Sequence, residues 1–510
     1  MRITFARNLC SGFCNCTPPK ACYILFIIPI WILLTFFITV GNLLRITTIS
    51  SWYEKTPDVE FNSFIYSSYY YEKSASLGDN AIALIMINRD DTPWFTEKIK
   101  IVGFNGTDNA VDTLLVDRIT PHGICKLITT FATGLTLPNM TSLNMIMEEK
   151  LIEIPFEKPS NVRRDVVVCI SPLFVSEAWQ NFIFAAHIYK RYGAYMQVYV
   201  MSAVKSFYDL MKKYEDEGYV HIKPWLRLRF PSEDEEVFKP NSNAEFRSQA
   251  ASQSDCLLYY KETAAFVTFL DLDDVLIPSM GPTYIEEFTK IYNSQPHISY
   301  LHYRKENTIV SVAYDGSLFS LKSMFGSVKF QDKVETGKIV TSPALVNSTW
   351  IHWPVQNMPL LDAYTVSENY ITHLKHIKLD NELIESDQPP RALDKKNPLI
   401  SEDNLAIMIK EYERITSQED VKKIMKKLPQ ETIYLDIVAK CFQEKYYYYH
   451  YSGRISEIKC PGPDMCEYEE HPEIDCMHST ANYHSAEKTT FIRFHYATSP
   501  SFIQTSGCMP

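Results

Sequence analysis

The sequence predicts an α/β fold around a largely parallel sheet, and three observations carry that expectation. Between Asp165 and Leu270, short apolar runs alternate with segments of helical period, the pattern that crossover connections impose on a parallel sheet. The runs are continuously apolar rather than alternating, as in strands buried on both faces. The last of them stops abruptly at three acids, Asp271, Asp273 and Asp274, where a sheet of this kind binds its ligands.

Val166-Val167-Val168-Cys169-Ile170 is the first strand, closed by Ser171-Pro172. A helix follows, because Trp179, Phe182, Ala186 and Tyr189 recur at helical spacing and Gly193 ends the pattern after Lys190 and Arg191. A strand from Met196 to Met201, a helix from Ser206 to Glu217 and a short strand from Val220 to Ile222 complete a βαβαβ unit. A further helix, Ala244 to Thr263, leads into the strand Ala265 to Leu270. Beyond the acids, Ile309 to Val312 and Gly337 to Val340 read as strands, and Asn404 to Lys427 reads as an amphipathic helix.

Upstream, residues 21–44 contain no charge and are long enough to cross a bilayer as a helix. Arg2, Arg7 and Lys20 precede this run, so the positive-inside bias places residues 1–20 in the cytoplasm and the remainder in a lumen, as a single-pass type II membrane protein. The run exceeds a usual signal-peptide core and no small-x-small cleavage site follows, which favours an uncleaved anchor. Residues 45–80, rich in Ser and Tyr and without period, read as a stem. The short apolar runs within residues 81–160 read as a small β-rich region. Residues 161–400 are then the catalytic domain, and residues 401–510 a C-terminal helix with a cysteine-containing tail. The four tyrosines Tyr446 to Tyr449 in that tail match no motif and read as part of a packed extension.

Of 12 cysteines, Cys10, Cys14, Cys16 and Cys22 lie before or at the start of the apolar run. The remaining eight suit disulfides in an oxidising lumen, since no Cys-x-x-Cys pair among them suggests zinc. Asn105, Asn139 and Asn347 begin glycosylation triplets on the same side. A formal charge of −11, with no basic run to offset it, excludes nucleic acid as a partner. The acidic block Glu233 to Glu236 reads as a solvated loop.

The acids at the strand end carry the chemistry. Two carboxylates one residue apart suit a divalent cation that prefers oxygen ligands, and such a cation neutralises the charge developing on a departing diphosphate. Asp271 and Asp273 form that pair, and a nucleotide sugar is the substrate class that needs it. His352 and His373 are candidates to complete the metal shell, although packing would account for either histidine equally. The same segment also fits a haloacid dehalogenase-type phosphatase with Asp271 as its aspartyl nucleophile. The acidic pair that chemistry needs downstream is missing, because Glu385, Asp387, Glu402 and Asp403 all sit in polar, loop-like surroundings.

The run Val166 to Phe174, then Glu177-Ala178-Trp179-Gln180, Tyr192-Gly193-Ala194, Pro224-Trp225, Gln249-Ala250-Ala251, Asp255-Cys256-Leu257 and the acids through Pro278, resembles glycosyltransferase family 92. The resemblance covers about Asp165 to Lys378. It implies a GT-A-type, Rossmann-like mixed sheet, Golgi residence and an Mn²⁺-dependent inverting transfer of galactose from UDP-galactose to a glycoprotein glycan, such as the core fucose of an N-glycan. By that resemblance Asp271 and Asp273 hold metal and donor, Ser171, Pro172 and Leu173 face the nucleotide, and Gly337, Lys338, Pro343 and His352 match a later family segment. A His-Tyr-Arg element of the family corresponds to His373-Leu374-Lys375: the His aligns, so the resemblance implies His373 rather than His352 as metal ligand, while the departure at the other two positions removes the Arg and with it the support for a diphosphate contact there. Inversion also requires a general base. Asp315, Glu335 and Glu368 are candidates from their position between or beside the matched segments. A relative that kept the fold but only binds glycans is the remaining alternative.

Overall fold

The apolar runs of the βαβαβ region lie side by side in a computed structural model that describes residues 61–92, 99–147, 149–357, 362–379, 399–489 and 492–509. The strands Val220–Pro224, Ala194–Val200, Arg164–Leu173 and Ala264–Leu270 are consecutive and parallel. The sheet continues through Lys329–Thr341, Ile298–Val312, Asp362–Leu379 and Asp274–Leu276 with antiparallel and parallel pairings, which makes it a mixed sheet of eight strands in an α/β fold.

Alternate residues of the Arg164–Leu173 strand enter different cores, because successive side chains leave a strand on opposite faces. Val166, Val168 and Ile170 pack with the helices Trp179–Arg191, Lys205–Asp216 and Tyr284–Ser294. Val167 and Cys169 pack with the helix Gln249–Tyr259 and with an N-terminal sheet. Both faces are covered, so the continuous apolar reading has its physical reason. The two disulfides that flank this layer, Cys169–Cys256 and Cys125–Cys460, belong to a set of four with Cys441–Cys466 and Cys476–Cys508 that pairs all eight cysteines.

Several expected boundaries shift. Residues 61–71, read as stem, form a strand buried on both faces, with Tyr69, Tyr70 and Tyr71 in the core. That strand pairs antiparallel with Ala81–Arg89 and parallel with Ile492–Ser506, so the β-rich region and the tail share one seven-stranded sheet. The helix expected from Ala244 begins only at Gln249, because Phe246, Arg247 and Ser248 have φ of 42°, 56° and 61°. Asn404 to Lys427 divides into two helices, Glu402–Thr416 and Glu419–Met425, broken at Ser417-Gln418. The expected cytoplasmic tail and anchor, residues 1–44, lie outside the described residues. No described helix is long and apolar enough to cross a membrane.

Candidate active site

Asp271 directly follows the buried strand Ala264–Leu270, and a tight turn brings the chain back so that Asp274 starts a second, short strand. The Asp274 N–H donates to the Asp271 carbonyl at 3.0 Å, the Leu374 N–H donates to the Asp273 carbonyl at 2.8 Å, and the Tyr189 hydroxyl donates to the Asp274 carbonyl at 3.0 Å. The turn is thus fixed from three sides. The short strand pairs antiparallel with Asp362–Leu379 in a register that sets Asp274 opposite His373.

This register gathers three side chains. His373 Nε2 lies 3.3 Å from an oxygen of Asp273 and 4.0 Å from one of Asp274. Among the described residues, Asp273, Asp274 and His373 are the trio of metal-ligating type whose donor atoms all fall within 4.8 Å of one another. Asp274 is fully buried, and its Oδ2 has no hydrogen-bond partner. An unpartnered buried carboxylate oxygen is costly unless something pairs with it, and two carboxylates with an imidazole are a donor set that suits Mn²⁺. The residues therefore fit the group.

The other ring nitrogen of His373 faces Asn307 Oδ1 at 2.7 Å, and Asn307 Nδ2 donates to Glu335 at 2.9 Å. That bond places a proton on Nδ1 and turns Nε2 toward the two acids, where it donates to Asp273 while protonated and offers its lone pair to a cation once that proton is lost, the arrangement that orients metal-binding imidazoles elsewhere. Asp271 is engaged differently. Its Oδ2 pairs with Lys338 Nζ at 2.9 Å and its Oδ1 accepts from Gln249 Nε2 at 2.9 Å, while Gln249 also donates to Ser171 Oγ at 2.7 Å. Lys338 can take this buried place because its neighbour is Gly337. A Cβ there would lie 1.7 Å from the Tyr303 carbonyl of the adjoining strand.

Burial opposes the charge of every acid here, and the partners decide the outcome. At Asp271 the charges of Lys338 and Lys305 outweigh burial and hold the carboxyl well below its usual range. At Asp273 burial is outweighed by the His373 hydrogen bond and charge, again lowering it. At Asp274 burial prevails over Lys305, whose Nζ stands 3.4 Å away, and the carboxyl is pushed up. Lys305 itself is held charged beyond its ordinary range: burial opposes this, but Asp274 and the other acids prevail.

The remaining expected residues scatter. His352 donates its Nδ1–H to the Gly337 carbonyl at 3.0 Å, stands outside the metal trio, and is pushed down to about 4 by burial and by Lys338. Pro172 and Leu173 line a cavity of about 240 Å³ together with Phe174, Leu272, Asp273 and Leu435, whereas Ser171 lies behind it on Gln249. A larger cavity of about 530 Å³ shares Glu177 with the first but contains none of the site's acids. Glu335 is kept anionic: burial opposes this, but the Asn307 hydrogen bond and Lys375 prevail. Asp315 accepts from the Ser317 N–H in an exposed turn, and Glu368 is exposed beside Ser367. Asn139 is exposed and Asn105 half-buried, while Asn347 is half-buried with its carbonyl accepting from Ser76.

Lys305, Asn307 and Gln249 complete the site without having been singled out as site residues. Gln249 stood in a matched segment, but Lys305 and Asn307 alternate along an unremarkable polar stretch. Their only signal is that the Ile298–Val312 strand lies beside the His373 strand.

The family model described as Glycosyltransferase family 92 matches residues 164–429. Two family 92 glycosyltransferase proteins of Caenorhabditis elegans are similar to most of the chain. One is 43% identical over 456 residues, covering 88% of this chain and 90% of its own length; the other is 36% identical over 454 residues, with the same coverage. A solved mannosyltransferase from Pyrobaculum calidifontis, in complex with GDP-Man and Mn2+, is 10% identical with a TM-score of 0.22, covering 43% of this chain and 61% of that one, too slight a likeness to bear on the site. Membership in a transferase family leaves the phosphatase reading of Asp271 without support. From the matched segment and the relatives together, the chain belongs to glycosyltransferase family 92.

Proposed function

We propose that this glycosyltransferase moves galactose from UDP-galactose to a glycoprotein glycan, with inversion, using a divalent cation such as Mn²⁺ held by Asp273, Asp274 and His373. The observation that carries the reading is the trio itself: three ligand side chains at a strand end, one with a buried oxygen left unpartnered. When bound, the cation would offset the negative charge that develops on the leaving diphosphate.

The chain's own residues account for the rest. With the three acids ionised and His373 neutral, as a bound cation requires, Asp271, Asp273 and Asp274 carry three negative charges against two positive charges on Lys305 and Lys338, leaving −1; a divalent ion turns the site to +1, the sign that retains a diphosphate. Asp271, fixed by Lys338 and Gln249, offers its carboxylate to donor hydroxyls. The apolar cavity of Pro172, Leu173, Phe174 and Leu272 gives the nucleotide a place beside Asp273. Of the three acids considered as general base, Glu335 is the one joined to the site, and there its carboxylate orients Asn307.

Galactose, UDP, inversion and a core-fucose acceptor rest on the family resemblance, and a GT-A-type architecture on parallel strands that run into the acids. Type II placement in the Golgi lumen is supported by the uncharged run of residues 21–44 and by four disulfides of a kind that persist in an oxidising compartment.

A donor screen tests the reading. The purified protein is given UDP-galactose and other nucleotide sugars with Mn²⁺, with EDTA, and as Asp273→Ala. Slow hydrolysis of one donor, abolished in both controls, is expected. A folded protein that neither hydrolyses a donor nor binds UDP in a metal-dependent way would be a glycan-binding relative instead.

A further inference from the structure

The tyrosine run of the tail is not packed away from the chemistry. The helix Tyr434–Phe442 passes into a π-helical turn, Gln443–Tyr447, and then a last helical turn, Tyr448–Tyr451. A π turn inserts a residue into the helical repeat and is frequent at functional sites. Here it carries the Tyr447 ring to within 6.0 Å of Lys375 Nζ, and Lys375 stands two residues beyond His373 on the same strand, where a bulge interrupts the pairing with the Ile298–Val312 strand. Burial raises the Tyr447 hydroxyl's pKa, with Lys305 and Asp271 both acting on it, so the ring shares the electrostatic field of the site.

The outer side of the turn is unaccounted for by packing. Tyr446 packs on Phe246 and His450, so its ring has neighbours within the chain. Tyr447 and Tyr451 instead stack with centroids 5.8 Å apart and an interplanar angle of 15°, and Tyr451 is 69% exposed. Tyr448 is also exposed, at 55%. The Cys441–Cys466 disulfide holds the helix that bears them. The result is a rigid aromatic face that begins at the ion-holding strand and runs out to solvent.

We propose that Tyr447 and Tyr451 form a stacking platform for a pyranose ring of the acceptor glycan, an assignment that rests on the transferase reading above. The axial C–H bonds of a pyranose carry partial positive charge and match the negative face of an aromatic ring. A glycan fits better than the donor's base, because the cavity lined by Pro172, Leu173 and Phe174 already serves a flat apolar group and contains neither tyrosine. Rings fixed before binding lose little conformational freedom on binding.

Saturation-transfer NMR titrations with released N-glycans, with and without core fucose, measure this directly on the full-length protein, beside UDP-sugar affinity. Tyr451→Ala is expected to weaken glycan binding about tenfold, the size of one aromatic stacking contact, and Tyr451→Phe to retain it. Tyr447→Ala should weaken it at least as much, and nucleotide-sugar affinity should not follow either change. Unaltered glycan affinity in both alanine variants, absence of glycan binding by the wild type, or a loss confined to the nucleotide sugar would overturn the platform. Tyrosine-dependent glycan binding without any donor hydrolysis would uphold it while removing the transferase reading.

Discussion

A single hydrogen bond decides what His373 can do. An imidazole with its Nδ1 proton on Asn307 presents a lone pair at Nε2, whereas a freely turning ring presents either nitrogen or none. Asn307→Leu, close in volume but unable to bond, should therefore lower Mn²⁺ affinity by roughly 10- to 100-fold, the range found when the partners of metal-binding histidines are removed. Manganese titration followed by electron paramagnetic resonance would read this without any turnover, and an unchanged affinity would show that Asn307 has no part in orienting the ring. The acids themselves were legible in the sequence, since a buried strand that stops at three carboxylates demands a reason. Which two of them stand beside a histidine was not. The motif drew attention to Asp271 and Asp273, but strand register sets Asp274 against His373, and Lys338 engages Asp271 from a separate strand. No local pattern records either pairing.

At the scale of elements, Glu177 joins the sheet to the tail. It lies in the loop after the first parallel strand, is 5% exposed, and accepts from the Leu435 N–H at the start of the Tyr434–Phe442 helix. Burial pushes its carboxyl up to about 7, against the lowering effect of that backbone bond. The sign follows from linkage: the folded state holds this proton more tightly than the unfolded one, so stability falls as pH rises from about 4.5 to about 7. Glu177→Gln should remove that part of the slope, worth on the order of 3 kcal/mol across the window. Denaturant midpoints at pH 5 and pH 7.5 would test it, and equal slopes in the two proteins would count against it. Elements with continuous apolar runs or a clear helical period were readable, as the helices Trp179–Arg191 and Lys205–Asp216 show. The false start at Ala244 was not. Phe246, Arg247 and Ser248 adopt left-handed φ because Arg247 is buried against Asp464 and the Phe246 N–H donates to the Pro461 carbonyl, both some two hundred residues away.

The first and last strands among the described residues lie side by side in one sheet. The strand Phe61–Tyr71 lies between Ala81–Arg89 and Ile492–Ser506, and the Tyr69 hydroxyl donates at 2.8 Å to Asp255. Asp255 is buried with Lys223 on one oxygen, and it sits on the same helix as Gln249, which holds Asp271. The first described strand is therefore linked through one helix to the acids, although composition alone made it look like a spacer: a strand buried on both faces shows no alternation, and tyrosine and serine are not the aliphatics that usually mark one. Removing it would strip five buried large side chains, Phe64, Ile65, Tyr69, Tyr70 and Tyr71, from the core. At roughly 1.5–3 kcal/mol each, that loss comes to about 7.5–15 kcal/mol, comparable with the ~5–15 kcal/mol by which a folded protein is ordinarily stable. Secreted fragments starting at residue 61 and at residue 81 separate the two views. The longer should leave the cell and unfold in one cooperative transition, and the shorter should be retained or aggregate, since Asp255 would lose the Tyr69 hydrogen bond and the neighbouring strand Ala81–Arg89 would present a bare edge. A stable, secreted fragment from residue 81 with metal binding intact would mean that the Tyr-rich strand is a removable cover, and that the sheet holding the acids stands without it.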